Sequence, residues 1–228
     1  MSDKRSPRVA ARIAGTRVRI LEAAREVLAD NGFDAAQVAV VAAAADVATG
    51  TVYRHFPSKA ALFAEMLRSV CETELAVVRA IADETDRSAA ERIGDAVGAF
   101  ATRALMGEGL SYAVIIEPMD REVDQVRLEA RAALADVFTD LITAGIRAGE
   151  FAEQDARLRG AAIVGAMLES LVAPLAQRDD LDHSLATVPT ELARFCRAAV
   201  GDTSPADSAT PARVQPLATG TAHRGSTK

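Results

Sequence analysis

Tryptophan is absent from this 228-residue chain, aromatic side chains make up 4% of it, and it holds two cysteines and three histidines. Cys71 and Cys196 lie far apart, with no C-x-x-C pair and no neighbouring histidine, so neither a disulfide framework nor a zinc site is indicated. A reducing, cytoplasmic setting is the simplest expectation. Toward the N-terminal half, the longest uncharged apolar stretch runs from Ala35 to Ala45 between Asp34 and Asp46, well short of the roughly 20 residues of a membrane span. The basic N-terminus lacks the apolar core of a signal peptide. Metalloprotease, nucleotide-loop and nucleophile-elbow patterns are missing, and Gly107-Glu108-Gly109 lacks the third glycine of a dinucleotide loop. His183 has Asp179, Asp180 and Asp182 nearby, a set better read as a solvated turn than as a metal cluster. An enzyme is therefore not expected, nor a metal or cofactor.

Alanine and helical periodicity are abundant. Half of the residues are apolar, a quarter are charged and 49 are alanine, the composition of an all-helical protein. At this length a folded chain buries roughly 70% of the surface that its unfolded form exposes, enough for a core without staples. The net charge of −6 is unevenly spread, +3 over residues 1–60 and −9 over the remainder. Lys4, Arg5, Arg8, Arg12, Arg17 and Arg19 face a single acid, Asp3, in the first twenty residues. A basic head on an acidic body suits an anionic partner at one end.

Residues 1–15 carry Pro7 and Gly15 without apolar period and read as a flexible basic arm. From Thr16, apolar residues at helical spacing (Ile20, Leu21, Ala24, Val27, Leu28) predict a first helix that stops at Asn31-Gly32. A second short helix carries Val38, Val41, Ala42 and Ala45, and a third starts near Thr49-Gly50-Thr51. Phe56-Pro57-Ser58 then interrupts, with Ser58 placed to cap a long helix from Lys59 to about Asp83. Further stripes follow at Ile93–Leu105, Leu110–Ile116, Val123–Ile142, Ala161–Val172 (closed by Pro174) and from Ser184 to Val200, with Pro189 inside the last. About nine helices result. Residues 202–228, rich in Pro, Ser, Thr and Gly, have the composition of a disordered tail.

Two short helices joined by a tight turn after a longer one follow the helix-turn-helix plan. Residues 20–67, above all Thr49-Gly50-Thr51-Val52-Tyr53-Arg54-His55-Phe56-Pro57-Ser58-Lys59-Ala60-Ala61-Leu62, resemble the TetR family of transcriptional regulators. The resemblance implies an all-helical homodimer with a DNA-binding domain (16–62) and a larger ligand-binding and dimerisation domain (63–201). It implies phosphate contacts from Tyr53, His55 and Lys59, and base contacts from Thr49, Thr51 and Arg54. Gly50 would let backbone approach DNA, Val52 would point inward, and Gln37, Val38 and Ala39 would approach the groove edge. The sequence departs from the family pattern at Asp46, where glycine is usual, and at Gln37, where Ser or Thr usually caps the second helix.

For the implied ligand cavity the candidates are Phe63, Leu67, Phe100, Arg103, Tyr112, Ile116, Met119, Phe138 and Met167, with Glu117 and Glu169 as further polar anchors. Sparse aromatics suit a small apolar effector. For the dimer, small residues at Gly160, Ala161, Ala162, Gly165 and Ala166 permit close helix approach, with Leu185, Leu192 and Phe195 supplying the opposing face. The expected function is a repressor released from a palindromic operator by a small molecule, with no membrane partner. A helical small-molecule binder without operator binding is the alternative.

Overall fold

The computed structural model describes residues 7–177 and 181–201, so Lys4, Arg5, the Asp179-Asp180 pair and the tail from 202 lie outside it. Among the described residues the chain is helical without strands: α1 (Pro7–Ala35), α2 (Val38–Ala44), α3 (Thr49–His55), α4 (Lys59–Ala82), α5 (Ala89–Met106), α6 (Glu108–Ile115), α7 (Arg121–Ala148), α8 (Ala156–Glu169), α9 (Val172–Ala176) and α10 (Leu181–Ala199). These are the expected nine if α8 and α9 are counted as one interrupted helix.

Helix ends follow local chemistry. Ser58 accepts the Ala61 amide at 2.9 Å and caps α4. Ser88 and Glu91 close a capping box on α5, and their hydrogen bonds hold the Glu91 carboxyl below its usual range. Asp155 caps α8 through the Leu158 amide at 3.0 Å. Gly149, at φ 76°, supplies the left-handed stop of α7.

Three boundaries differ from the sequence expectation. Among the described residues helix α1 is already formed at Pro7, ahead of the expected start at Thr16, so 7–15 of the expected arm are helical. One interior glycine, Gly15, costs only about 1 kcal/mol. Thr16 donates to the Arg12 carbonyl inside the helix instead of capping it. The break between α8 and α9 falls at Ser170-Leu171, and Pro174 sits in the first turn of α9, where its missing amide costs nothing. The last helix is already formed at Leu181, ahead of the expected Ser184, and keeps Pro189 buried within it.

The buried side chains form two clusters that do not divide at residue 62. One joins α1, α2, α3 and the first half of α4, from Ile20 through Phe63 to Val70, and also takes Leu110 and Ala113 of α6 and Val123 and Val126 of α7. The other is built on α5, α7, α8 and α10 around Ile93, Phe138, Ile142 and Met167, and it reaches α4 at Val78 and Ala82. Helix α4 thus belongs to both cores, and α6 and the start of α7 pack with the N-terminal one.

Candidate DNA interface and effector cavity

In the N-terminal unit, α2 and α3 are joined by a turn in which Asp46 adopts φ 53°, a left-handed conformation that aspartate tolerates better than most residues. The Val47 amide donates to the Ala42 carbonyl across it at 3.0 Å. Val52 is 1% exposed and fixes the roll of α3 against Ile20, Val41 and Phe56. That roll turns Thr49, Gly50, Tyr53 and Arg54 to solvent, with Tyr53 51% exposed. A Cβ added at Gly50 would meet nothing within 4 Å, so the backbone there is open to an incoming surface. Thr51 and His55 are half-buried at the edge of this face, and Arg54 donates to the Thr51 hydroxyl at 3.0 Å.

The α3 platform is held from behind. Arg17 of α1 donates to the His55 carbonyl at 3.0 Å, pairs with Glu65 of α4 and stacks over the Phe56 ring at 4.4 Å. Burial, then Arg17 and Arg54, lowers the pKa of His55 below its ordinary value, so its imidazole is neutral at pH 7 in the free protein. Arg12 and Arg19 are exposed on α1 and add positive charge to the same unit.

Two residues expected at the interface face elsewhere. Val38 is only 6% exposed and belongs to the core; its neighbours Gln37, Ala39 and Val40 are the exposed ones. Gln37 is the N-cap residue of α2 but makes no side-chain cap bond, its amide donating instead to the Asp34 carbonyl at 2.6 Å, and Asp34 does not replace it. Lys59 is turned inward. Its ammonium donates to the Phe33 carbonyl at 2.6 Å and lies 4.3 Å from the Phe33 ring centre.

Sequence reasoning did not find the second contact on Phe33. Glu117, in the α6–α7 connection, accepts the Phe33 amide at 2.9 Å, so the Phe33 residue is held on one side by Lys59 and on the other by Glu117. Gly32 makes room for this contact: its φ is 72°, and a Cβ there would overlap the Glu117 carboxylate. Glu117 is therefore a strut between the body and the α1–α2 turn, not a ligand anchor.

The cavity lies at the seam of the two cores, bounded by Val70, Cys71 and Glu74 (α4), Phe100 and Ala104 (α5), Leu110, Ser111, Val114 and Ile115 (α6), Arg127, Ala130, Arg131 and Leu134 (α7) and Leu168 (α8). Of the nine expected wall residues only Phe100 lines it. Phe63 and Leu67 are fully buried in the N-terminal core, and Phe138 and Met167 in the C-terminal one. Tyr112 and Ile116 pack half-buried on the C-terminal core and Met119 on the N-terminal core. Arg103 is buried just outside, giving two bonds of 2.8 and 2.7 Å to Glu74. Glu169 lines an adjoining, more open groove of about 490 Å³ with Gly165, which shares Ile115, Arg131 and Leu168 with the cavity. Burial and then Glu74 push the Cys71 thiol up to about 11, which keeps it protonated and unreactive at neutral pH. The cavity holds about 80 Å³, space for two or three waters at roughly 30 Å³ each. Ligand sites usually span about 300–1,000 Å³, so an effector would have to part these helices.

On the surface of the body, Leu158 and Phe195 are the most exposed large apolar side chains among the described residues, at 66% and 61%. Ala162 and Gly165 are also exposed, Ala166 and Leu185 are half-buried, and Leu192, expected at this surface, is buried in the core at 5%. Residues 156–176 are long and apolar enough to cross a membrane by length and composition, with a mean hydropathy of 1.4. They also contain the break at Ser170-Leu171, and their buried face is part of the C-terminal core.

A family model described as bacterial regulatory proteins, tetR family, matches residues 20–66, the segment that forms α1 to α4 of the reader. Residues 20–66 are thus similar to the tetR-family DNA-binding segment. Curated relatives include the transcriptional regulator UidR of Escherichia coli, 41% identical over 64 residues, which are 28% of this chain and 33% of UidR. Another is the transcriptional repressor KstR of Mycobacterium tuberculosis, 35% identical over 122 residues, 48% of this chain and 52% of KstR. The matched stretches thus span from a third to about half of those relatives. Among solved structures, the regulator FadR of Bacillus subtilis, determined in complex with stearoyl-CoA, superposes with a TM-score of 0.70 at 24% identity, covering 80% of this chain and 98% of FadR. That likeness shows a shared fold across the body as well as the N-terminal unit.

Proposed function

We propose that this chain is a DNA-binding transcriptional regulator of the cytoplasm, a repressor that leaves a palindromic operator when a small molecule enters the seam cavity. The observation that carries the reading is the outward face of α3. Thr49, Gly50, Tyr53 and Arg54 are exposed together on a helix whose roll is fixed by Val52, Arg17 and Phe56. Such a face enters a major groove and reads base edges with short polar groups while cations at its border meet phosphates. Arg54, Arg12 and Arg19 provide that border with the neutral His55 beside them, and Lys59 acts from behind by fixing the α1–α2 turn.

A homodimer would present two α3 helices to half-sites roughly 34–36 Å apart. The exposed Leu158, Ala162, Gly165 and Phe195 of α8 and α10 offer an apolar, small-residue surface on which two copies can pack. Release follows from the shared helix. A molecule wedged between α4, α6 and α7 pushes apart elements packed on both cores, and Glu117 transmits the shift of the α6–α7 connection to Phe33. Coupling of this kind is reciprocal, so operator DNA weakens the effector by the same factor.

The test is selection of duplexes from a random double-stranded library, followed by fluorescence-anisotropy titration against excess nonspecific DNA at two salt concentrations. The expected result is a palindromic site bound in the presence of competitor. Enrichment of no sequence, with all binding lost to competitor, would reject the reading in favour of a small-molecule binder without an operator.

A further inference from the structure

The cavity is not electrically neutral, and the imbalance identifies a ligand class. Its wall is largely apolar, with Val70, Phe100, Val114, Leu134 and Leu168 among the residues that would hold a hydrocarbon body. One acidic side chain, Glu74, lines it, and both carboxylate oxygens are taken by Arg103. The charge of Glu74 is thus met from outside the cavity. Two cations remain on the α7 wall, Arg127 and, one turn on, Arg131 at the rim. Burial lowers the Arg127 pKa, the Asp124 carboxylate opposes that lowering, and Arg131, a like charge at i+4, adds to it. Arg127 has partial satisfaction only. It donates to the Ala113 carbonyl at 2.6 Å and to Asp124 at 3.0 Å, a carboxylate 47% exposed to water, and its Nε is buried without a hydrogen-bond partner. A buried donor left unmade is costly, and a charge-assisted bond to it is among the stronger polar contacts available.

Building on the effector-site reading above, we propose that the cavity takes an amphipathic organic acid, its apolar body between α4, α5 and α7 and its carboxylate on Arg127. A carboxylate there satisfies the open Nε and relieves the Arg127–Arg131 repulsion. A neutral ligand would do neither, and a cationic one would add a third positive charge. The site also explains how an acid would be felt at the reader. Arg127 holds the Ala113 carbonyl in α6, and α6 runs directly into the connection that carries Glu117.

The test uses three probes with one tail, octanoate, octan-1-ol and octylamine, titrated calorimetrically into the full chain without DNA and, in parallel, into the complex with its selected duplex. Octanoate is expected to bind about ten- to a hundredfold more tightly than octanol, the usual span of a charge-assisted hydrogen bond, with octylamine weakest. Arg127→Met, its fold checked by circular dichroism, should erase the acid preference, and Arg127→Lys should retain part of it. Should Arg127→Met fail to fold, Arg131→Gln must shrink the preference instead. Equal or tighter binding of octanol, an acid preference that survives Arg127→Met, or binding of none of the three would overturn the assignment. Release of DNA by octanol and octanoate alike would leave the effector-site reading standing while removing the acid. Binding of octanoate through Arg127 with no effect on DNA would do the opposite.

Discussion

The two halves of this molecule present their functional groups in opposite ways. In the N-terminal unit the side chains that matter are neighbours in sequence and face outward: Thr49, Gly50, Tyr53 and Arg54 lie within one helix of seven residues. In the body they come from five helices and face inward around a cavity of about 80 Å³. A reader that grips a rigid groove can be prefixed on one short helix. A cavity that must open and close is better made at a seam, where helices already divide their packing between two cores. The lesson is that the boundary between the halves is not a linker but a shared wall, since α4, α6 and α7 each contribute to it.

Breaking the wall from the reader side gives the largest expected effect. Phe63, fully buried and edge-on to Phe33 at 5.4 Å between ring centres, anchors the start of α4. Phe63→Ala should destabilise the chain by about 3–5 kcal/mol in denaturant unfolding and abolish operator binding with it. Tyr53→Ala separates recognition from folding. Because that ring is half in solvent, operator affinity should fall by about 1–3 kcal/mol while the melting temperature stays within about a degree of wild type.

Cutting the strut should distinguish folding from coupling. Glu117→Ala leaves the Phe33 amide without its acceptor, a cost of about 1–3 kcal/mol. Operator binding should persist in anisotropy titrations, but the response to any effector should shrink, because the shift of α6 no longer reaches the α1–α2 turn.

The smallest effect concerns pH. Burial and two arginines depress the His55 pKa in the free protein, and a phosphate beside it would raise that pKa. Operator binding then takes up a proton, so affinity should rise modestly as pH falls from 8 toward 6, with His55→Gln flattening the slope. The same depression acts oppositely on folding. The unfolded chain binds the proton more readily, so the contribution of His55 to stability is full at alkaline pH and declines as pH drops through the ordinary histidine range.

What could be read from the sequence follows the same division. Helix periods, the Ser58 cap, the Asp46 turn and the orientation of Val52 depend on residues a few positions apart, and each appears in the structure as expected. Lys59 was misread because its ammonium is captured by a carbonyl 26 residues earlier. The cavity was largely illegible because periodicity marks the face of a helix that is buried without naming what it is buried against. Phe63, Leu67, Phe138 and Met167 have the same pattern as true wall residues and simply fill the two cores. Glu117 carried no local signal at all, since its partner lies 84 residues away.

The most direct test of the coupling at the seam is to fill the cavity permanently. Ala130, half-buried on its α7 wall, can be replaced by tryptophan, which in a chain that has none also serves as a fluorescent reporter of the site. Overpacking of this kind costs about 1–3 kcal/mol, so the variant should remain folded. Its Trp emission should be blue-shifted and its affinity for the selected operator at least about tenfold below wild type, while Leu128→Trp, at a position 59% exposed on the same helix, should bind as wild type does. A folded Ala130→Trp variant with buried tryptophan and unchanged operator affinity would contradict the coupling of cavity to reader.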